Sequence, residues 1–146
     1  MVSAPQMPNG LPLFKPPYSM MTAVNMNTGE HLWRVPLGNG DAFRNNPSVK
    51  GLNLPPLGGD ANVTGPVLTK TLLISALTRG GTSNNNGPRL VARDKTNGQE
   101  LASVDLPGQA IGTPMTFLVG DKQYIALTVS APAGSSVPEL VAFALP

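Results

Sequence analysis

Residues Ala23–Trp33, with the sequence AVNMNTGEHLW, recur 69 positions later at Ala92–Ala102 as ARDKTNGQELA. Both segments follow the pattern Ala-x-(Asn/Asp)-x-x-x-Gly-x-x-Leu. In each copy, alternating apolar residues flank a turn whose glycine is suited to a positive φ angle. An internal repeat predicts one supersecondary unit used twice, with each copy burying its apolar face against a neighbour. The unit predicted here is a β-hairpin.

The composition favours many short strands joined by long turns. Of the 146 residues, 16 are glycine and 16 are proline, and they interrupt the apolar runs that would otherwise suit a helix. We therefore expect an all-β chain. The formal net charge is only +2 and the basic residues are scattered, which argues against nucleic-acid binding. The apolar runs are too short for a membrane-spanning helix, residues 1–5 do not resemble a signal peptide, and the lack of cysteine excludes disulfides and thiolate metal sites.

The predicted strands fall into groups along the chain. Residues 1–18 form a proline-rich extended lead-in, and residues 19–36 supply two strands around the first repeat. A long irregular connection, 37–62, leads to four strands within 63–106 and then to three strands within 111–146. Four-stranded antiparallel sheets used repeatedly build a β-propeller. We therefore predict a propeller segment with about two blades' worth of sheet.

A propeller segment exposes surfaces that a closed ring would hide. The apolar flank of a blade lies open at each end, and the strand predicted at Glu139–Leu145 has an unpaired edge. An array of so few repeats is also marginal in stability. We expect the chain to pair with the remaining blades of a parent propeller, or to self-associate through its exposed edges.

The repeat resembles the tryptophan-docking motif of the quinoprotein dehydrogenases, Ala-x-Asp-x-x-x-Gly-Lys/Glu-x-x-Trp. The first copy matches this motif at Ala23, Gly29, Glu30 and Trp33, while the second copy has Ala102 in place of the tryptophan. Further stretches resemble the C-terminal part of the membrane glucose dehydrogenase-like branch: KPPY at 15–18, GTPMT at 112–116, DKQY at 121–124 and AFALP at 142–146.

The resemblance implies an eight-bladed all-β propeller that holds pyrroloquinoline quinone (PQQ). Such proteins oxidise a sugar, polyol or alcohol by hydride transfer to the quinone, with a Ca²⁺-type cation and a carboxylate base. The resemblance assigns those metal ligands and that base to earlier blades, so we expect no catalytic residue and no metal ligand in this segment. It also implies a place on the periplasmic side of the bacterial inner membrane, and a quinone or a cytochrome as electron acceptor.

The docking motif also has a physical explanation. An indole at Trp33 is large enough to fill the gap between two adjacent blades, and a small alanine at the start of the motif leaves room for it. The side chains of Asn25 and Asp94 can accept hydrogen bonds from turn amides. We therefore interpret these residues as structural ones that hold blades together.

The candidate cofactor contacts lie just before the innermost strand of the complete blade. Propeller ligands bind near the ring axis, and Asn62, Thr64 and Gly65 lie on a loop that leads there. The side chains of Asn62 and Thr64 can hydrogen-bond the carboxylate-rich cofactor that the resemblance implies, and Lys15 can pair with one of its carboxylates. The plainer alternatives are ordinary polar loop residues and a solvent-exposed lysine. Arg44, in the long connection, is a candidate for the mouth of the pocket.

Two other hypotheses stay open at this point. A non-catalytic propeller scaffold for protein interaction would keep the repeats without the enzyme's chemistry. A free-standing β-sandwich would pair residues 20–25 with strands distant in sequence. His31, the only histidine, is expected on the surface in any of these folds.

Overall fold

The computed structural model describes residues 5–62, 64–82 and 86–144. Over these residues it contains nine β-strands and one short helix. In chain order they are β1 (Met20–Val24), β2 (His31–Pro36), α1 (Asp41–Arg44), β3 (Val67–Leu68), β4 (Leu72–Leu77), β5 (Arg89–Asp94), β6 (Glu100–Asp105), β7 (Met115–Val119), β8 (Lys122–Val129) and β9 (Glu139–Ala144). The all-β fold expected from the composition is confirmed.

The strands form three antiparallel sheets that follow one another along the chain. The first sheet is β1-β2, the second is β3-β4-β5-β6 and the third is β7-β8-β9, so all pairings within the sheets are between strands that are consecutive in sequence. Within the described residues β1 pairs only with β2. The β-sandwich hypothesis, which paired residues 20–25 with a distant strand, is therefore wrong.

The two copies of the repeat fold into the same hairpin. The amide of Gly29 donates to the carbonyl of Asn25 at 2.7 Å, and the amide of Gly98 donates to that of Asp94 at 2.8 Å. The two glycines have φ angles of +75° and +76°, a conformation that other residues rarely adopt. The side-chain oxygens of Asn25 and Asp94 accept the amide two residues later at 2.9 and 2.7 Å, as the motif predicts. The pairing register shifts at the corresponding position in both copies, after Ala23 and after Ala92.

One helical turn interrupts the connection that the sequence predicted as irregular throughout. This turn, α1, follows Gly40, whose φ is +78°. Arg44, in its last turn, donates to the backbone carbonyls of Asn39, Leu54 and Pro55. Four residues are too few for a helical period to show in a sequence window of eleven or more. The turn and its arginine fold the connection back on itself.

The hydrophobic core lies between the second and third sheets. Its buried side chains are Ile74, Ala76, Leu90, Leu106, Ala110, Ile125, Leu127 and Val129. Because side chains alternate along a strand, Leu77 and Val91 project from the opposite face of the second sheet. Both are also inaccessible to solvent. The second sheet is therefore covered on both faces, as a blade inside a propeller is.

The first and third sheets expose apolar side chains on their outer strands. Leu118 and Leu140 of the third sheet are 69% and 70% exposed, and Leu32 of the first sheet is 61% exposed. Within the described residues β9 has a partner on one side only. The unpaired edge predicted at Glu139–Leu145 is thus present over β9, and Leu145 lies outside the described residues.

Candidate functional site

Trp33 joins the first sheet to the second. Its indole N–H donates to the backbone carbonyl of Lys95 at 2.9 Å, and its ring lies over Gly98. A Cβ atom on Gly98 would stand 2.7 Å from the ring, so only glycine leaves enough space for the indole. The predicted role of Trp33 in joining neighbouring sheets is confirmed. The motif predicts that its alanine leaves room for the ring, whereas the structure shows that Gly98 provides this space.

The two repeats differ in the surroundings of the turn glycine and in the residue at the last position of the motif. Gly98 is buried, whereas Gly29 is exposed and, within the described residues, has nothing within 4 Å of where its Cβ would stand. Ala102 stands where the first repeat has Trp33, and a cleft of about 240 Å³ lies beside it. The cleft is lined mainly by apolar side chains of the second and third sheets, including Leu90, Ile125 and Phe143.

A buried carboxylate anchors the loop that leads to the candidate cofactor residues. Asp60 is 2% exposed, and its Oδ2 accepts the amide of Gly40 at 2.9 Å. Its backbone carbonyl accepts the amide and the hydroxyl of Thr78 at 2.9 and 3.2 Å. Gly38 packs so closely that a Cβ there would stand 2.2 Å from the carboxylate. Asp60 thus ties the long connection to the end of β4 and fixes where the following residues begin.

Asn62 and Thr64 lie together directly after this anchor. The side-chain carbonyl of Asn62 accepts the amide of Thr64 at 3.1 Å. The Oγ1 atom of Thr64 is buried and, within the described residues, has no hydrogen-bond partner. A buried hydroxyl without a partner costs about 1–3 kcal/mol, so this atom is suited to meet a ligand. Gly65 follows and is exposed, and a Cβ atom added there would be in ordinary van der Waals contact with Thr113.

Lys15 makes no hydrogen bond or ion pair with this loop in the part of the chain that the structure describes, and it is exposed. The lead-in that carries it lies beside the connection, because the amide of Tyr18 donates to the carbonyl of Leu57 at 2.7 Å. Its pairing with a cofactor therefore stays a prediction. Arg44 donates from Nε and Nη2 to carbonyls of the connection itself. His31 is exposed, as expected.

A cluster of two arginines and a glutamate lies on the face of the second sheet that is turned away from the hydrophobic core. Arg89 and Arg93, both on β5, each donate to the carboxylate of Glu100 on β6. Burial lowers the pKa of the Arg93 guanidinium, and the nearby Glu100 opposes this shift. Positions four apart on a strand share a face, so the spacing was visible in the sequence. Nothing in the sequence showed that these cations are buried.

The described ranges contain no group of three or more His, Asp, Glu or Cys side chains that could hold a metal ion. Within the same ranges, no helix is both long enough and apolar enough to cross a membrane. The cation implied by the resemblance stays a prediction for residues outside this segment.

Comparisons with known proteins agree with this architecture. Residues 2–125 match the family described as "PQQ: Glucose/ethanol/alcohol dehydrogenase, beta-propeller domain". The chain is 33% identical over 141 residues to the glycerol dehydrogenase large subunit of Gluconobacter thailandicus, covering 94% of this chain and 18% of that protein. It is 32% identical over 152 residues to quinoprotein glucose dehydrogenase A of Acinetobacter calcoaceticus, covering 99% and 17%. It is 30% identical over 145 residues to the quinate/shikimate dehydrogenase (quinone) of Acinetobacter baylyi, covering 93% and 16%.

The chain spans less than a fifth of the length of these curated relatives. Its docked hairpin repeat and its consecutive antiparallel sheets are what a segment of a larger propeller should show. The chain therefore belongs to the β-propeller family of the PQQ-dependent glucose, ethanol and alcohol dehydrogenases.

Proposed function

We propose that this chain forms the C-terminal blades of a dehydrogenase that oxidises a sugar, polyol or alcohol, with PQQ as the hydride acceptor. The observation that carries the proposal is the indole of Trp33 on the turn of the next repeat, in a chain that belongs to this enzyme family. The relatives are named for glycerol, glucose and quinate, all of which carry hydroxyl groups on carbon. The chain's own part is to complete the ring and to line one side of the cofactor pocket.

The loop after Asp60 has groups that suit a carboxylate-rich cofactor. PQQ, when bound, supplies a quinone that takes up a hydride from the substrate. The hydroxyl of Thr64 is buried without a partner in the described residues and can donate to a carboxylate. The side-chain amide of Asn62 keeps its N–H₂ group available, because its carbonyl oxygen already accepts the Thr64 amide. We further propose that Gly65, which has no side chain, lets the backbone lie close to the cofactor, and that Lys15 supplies a positive charge to one of the cofactor carboxylates.

No residue of this segment has a catalytic or metal-binding role in the proposal. We propose that the base, and Ca²⁺ or a similar cation, are held by residues outside the segment. The 146-residue chain alone is then inactive, because it provides one wall of the pocket without the reacting centre.

A chimera tests the pocket wall. The matched region of quinoprotein glucose dehydrogenase A from A. calcoaceticus would be replaced by this chain, and PQQ binding would be measured by titration. We expect the chimera to bind PQQ, and Thr64→Val to weaken binding about tenfold, the cost of one hydrogen bond to a charged group. Dye-linked glucose oxidation by the chimera, with the isolated chain assayed beside it, shows whether activity depends on the rest of the ring.

Thr71→Val is the matched control, since Thr71 is exposed in the turn between β3 and β4. It should leave PQQ affinity unchanged. Equal losses in the two variants would remove Thr64 from the pocket wall. A chimera that folds, as judged by circular dichroism, but binds no PQQ would favour the alternative of a non-catalytic propeller scaffold.

We expect the isolated chain to self-associate at micromolar concentration, because one edge of β9 is unpaired over the described residues, and Leu140 on β9 and Leu118 on β7 are exposed. Sedimentation equilibrium measures this directly. Leu140→Lys places a charge on the edge strand and should shift the chain toward monomer. Leu52→Lys, at a 57% exposed leucine in the long connection, should not. A monomer that unfolds in one two-state transition at the same concentration would contradict the expectation.

We propose that the parent enzyme works on the periplasmic side of the bacterial inner membrane and passes electrons to a quinone or a cytochrome. Support for the quinone comes from the name of one relative, a quinone-linked quinate/shikimate dehydrogenase. The location follows the resemblance to the membrane glucose dehydrogenase-like branch. Nucleic acid is not a proposed partner, since the net charge of +2 is small and dispersed.

A further inference from the structure

A cleft of about 360 Å³ lies between the first and second sheets. This volume is within the range of small-molecule sites. Arg89, Arg93, Glu100 and Gln99 line it on the side of the second sheet, and Pro36 and Asn39 are among the residues opposite. None of the residues proposed to face the cofactor contributes to its walls.

The cleft carries an excess of positive charge. Arg89 and Arg93 project from the same face of β5, and both donate to the single carboxylate of Glu100. The side chains of Arg89 and Arg93 are only 16% and 7% exposed. Within the described residues, these two largely buried cations therefore form ion pairs with one carboxylate, that of Glu100, although buried charges are normally compensated.

Both guanidiniums also have N–H groups that the described part of the chain leaves unused. The Nε atoms of Arg89 and Arg93 are buried and have no hydrogen-bond partner there. A further donor of Arg93 reaches the carbonyl of Gly98 at 3.4 Å, which is long for a hydrogen bond. Burial lowers the pKa of the Arg93 guanidinium, and the neighbouring Glu100 offsets this shift only in part.

We propose that this cleft binds a small oxyanion, a carboxylate or a phosphate, between the guanidiniums of Arg89 and Arg93. Guanidinium groups bind both kinds of oxyanion in a bidentate manner. The ligand would lie beside Glu100 or take its place, since the Glu100 side chain is 34% exposed and can turn toward solvent. The carboxylate of Glu100 then balances the positive charge of the two arginines while no ligand is bound, and it competes with the ligand for their N–H groups.

The test is to titrate the 146-residue chain separately with inorganic phosphate and with acetate, at ionic strength held constant with chloride. Isothermal titration calorimetry should show saturable binding of at least one oxyanion, and the comparison shows which kind is preferred. Arg93→Gln should weaken this binding at least tenfold, because one charged hydrogen-bonding partner is lost. Glu100→Gln should strengthen it several-fold, because the competing carboxylate is gone.

The two variants should change the oxyanion affinity in opposite directions, which a purely structural ion pair would not produce. Arg34→Gln is the matched control: it removes one positive charge at an exposed position of β2 that does not line the cleft, and it should leave binding unchanged. Fluorescence of Trp33 reports whether each variant is folded. If Arg93→Gln fails this check, Arg89→Gln replaces it. Absence of saturable binding of either oxyanion to the unmodified chain, or weaker binding in Glu100→Gln, would overturn the proposal.

Discussion

Replacing Gly98 with alanine should lower the free energy of unfolding by about 3 kcal/mol, whereas replacing Gly29 with alanine should lower it by about 1 kcal/mol. The two glycines have φ angles of +76° and +75°, so both variants carry the same backbone strain. Only at Gly98 would the new Cβ stand 2.7 Å from the ring of Trp33. The indole must then leave the turn, and its packing against the second sheet is lost as well.

Urea unfolding at a single protein concentration measures both values, since self-association makes the midpoint depend on concentration. The fluorescence of Trp33 gives a second, independent readout, because the chain has only one tryptophan. The emission of Gly98→Ala should shift to longer wavelength as the indole meets water, and that of Gly29→Ala should not. Equal destabilisation with unchanged emission in both variants would show that Gly98 serves the turn alone.

The fold was largely predictable because its local signals agree with one another. In both hairpins, the glycine needs a positive φ and the Asn25 or Asp94 side chain binds a turn amide, and these needs restrict the residue types. Strands bounded by such turns pair with their neighbours in sequence, so the three sheets follow with little long-range information. Trp33 could be assigned to a contact between sheets because a large aromatic residue recurs there in the family motif.

The candidate site was harder to predict because its residues depend on partners distant in sequence. The carboxylate of Asp60 meets Gly40, twenty positions earlier, and nothing in its own neighbourhood marks it as buried. The space at Gly98 is defined by an indole from another hairpin. Three apolar residues separate Arg89 from Arg93 on β5, and the residues that lie opposite the two arginines come from the first sheet and from the long connection, far away in sequence. Helix α1 has only four residues, too few for a helical repeat of apolar residues to be visible in the sequence.

Replacing Trp33 with alanine should destabilise the chain by about 3 kcal/mol, the lower end for deleting a large aromatic side chain, because this indole is half-buried. Trp33→Phe keeps an apolar ring but loses the N–H that donates to Lys95, and should cost about 1 kcal/mol beyond any change in packing. The loss should be local, because the indole of Trp33 hydrogen-bonds and packs on the turn at Lys95 and Gly98 and so links the hairpin of residues 20–36 to the second sheet.

Hydrogen–deuterium exchange separates local from global unfolding. In Trp33→Ala, amides of β1 and β2 should exchange near the rate of an open chain, while those of β4 and β8 stay protected by the core between the second and third sheets. Leu32→Ala is the control, because Leu32 is the neighbouring residue and is 61% exposed. Its effect should stay within about 0.5 kcal/mol. If Trp33→Ala costs no more than this control, the first sheet is held by its backbone and by the long connection, and the docking tryptophan does not hold the blades together in this chain.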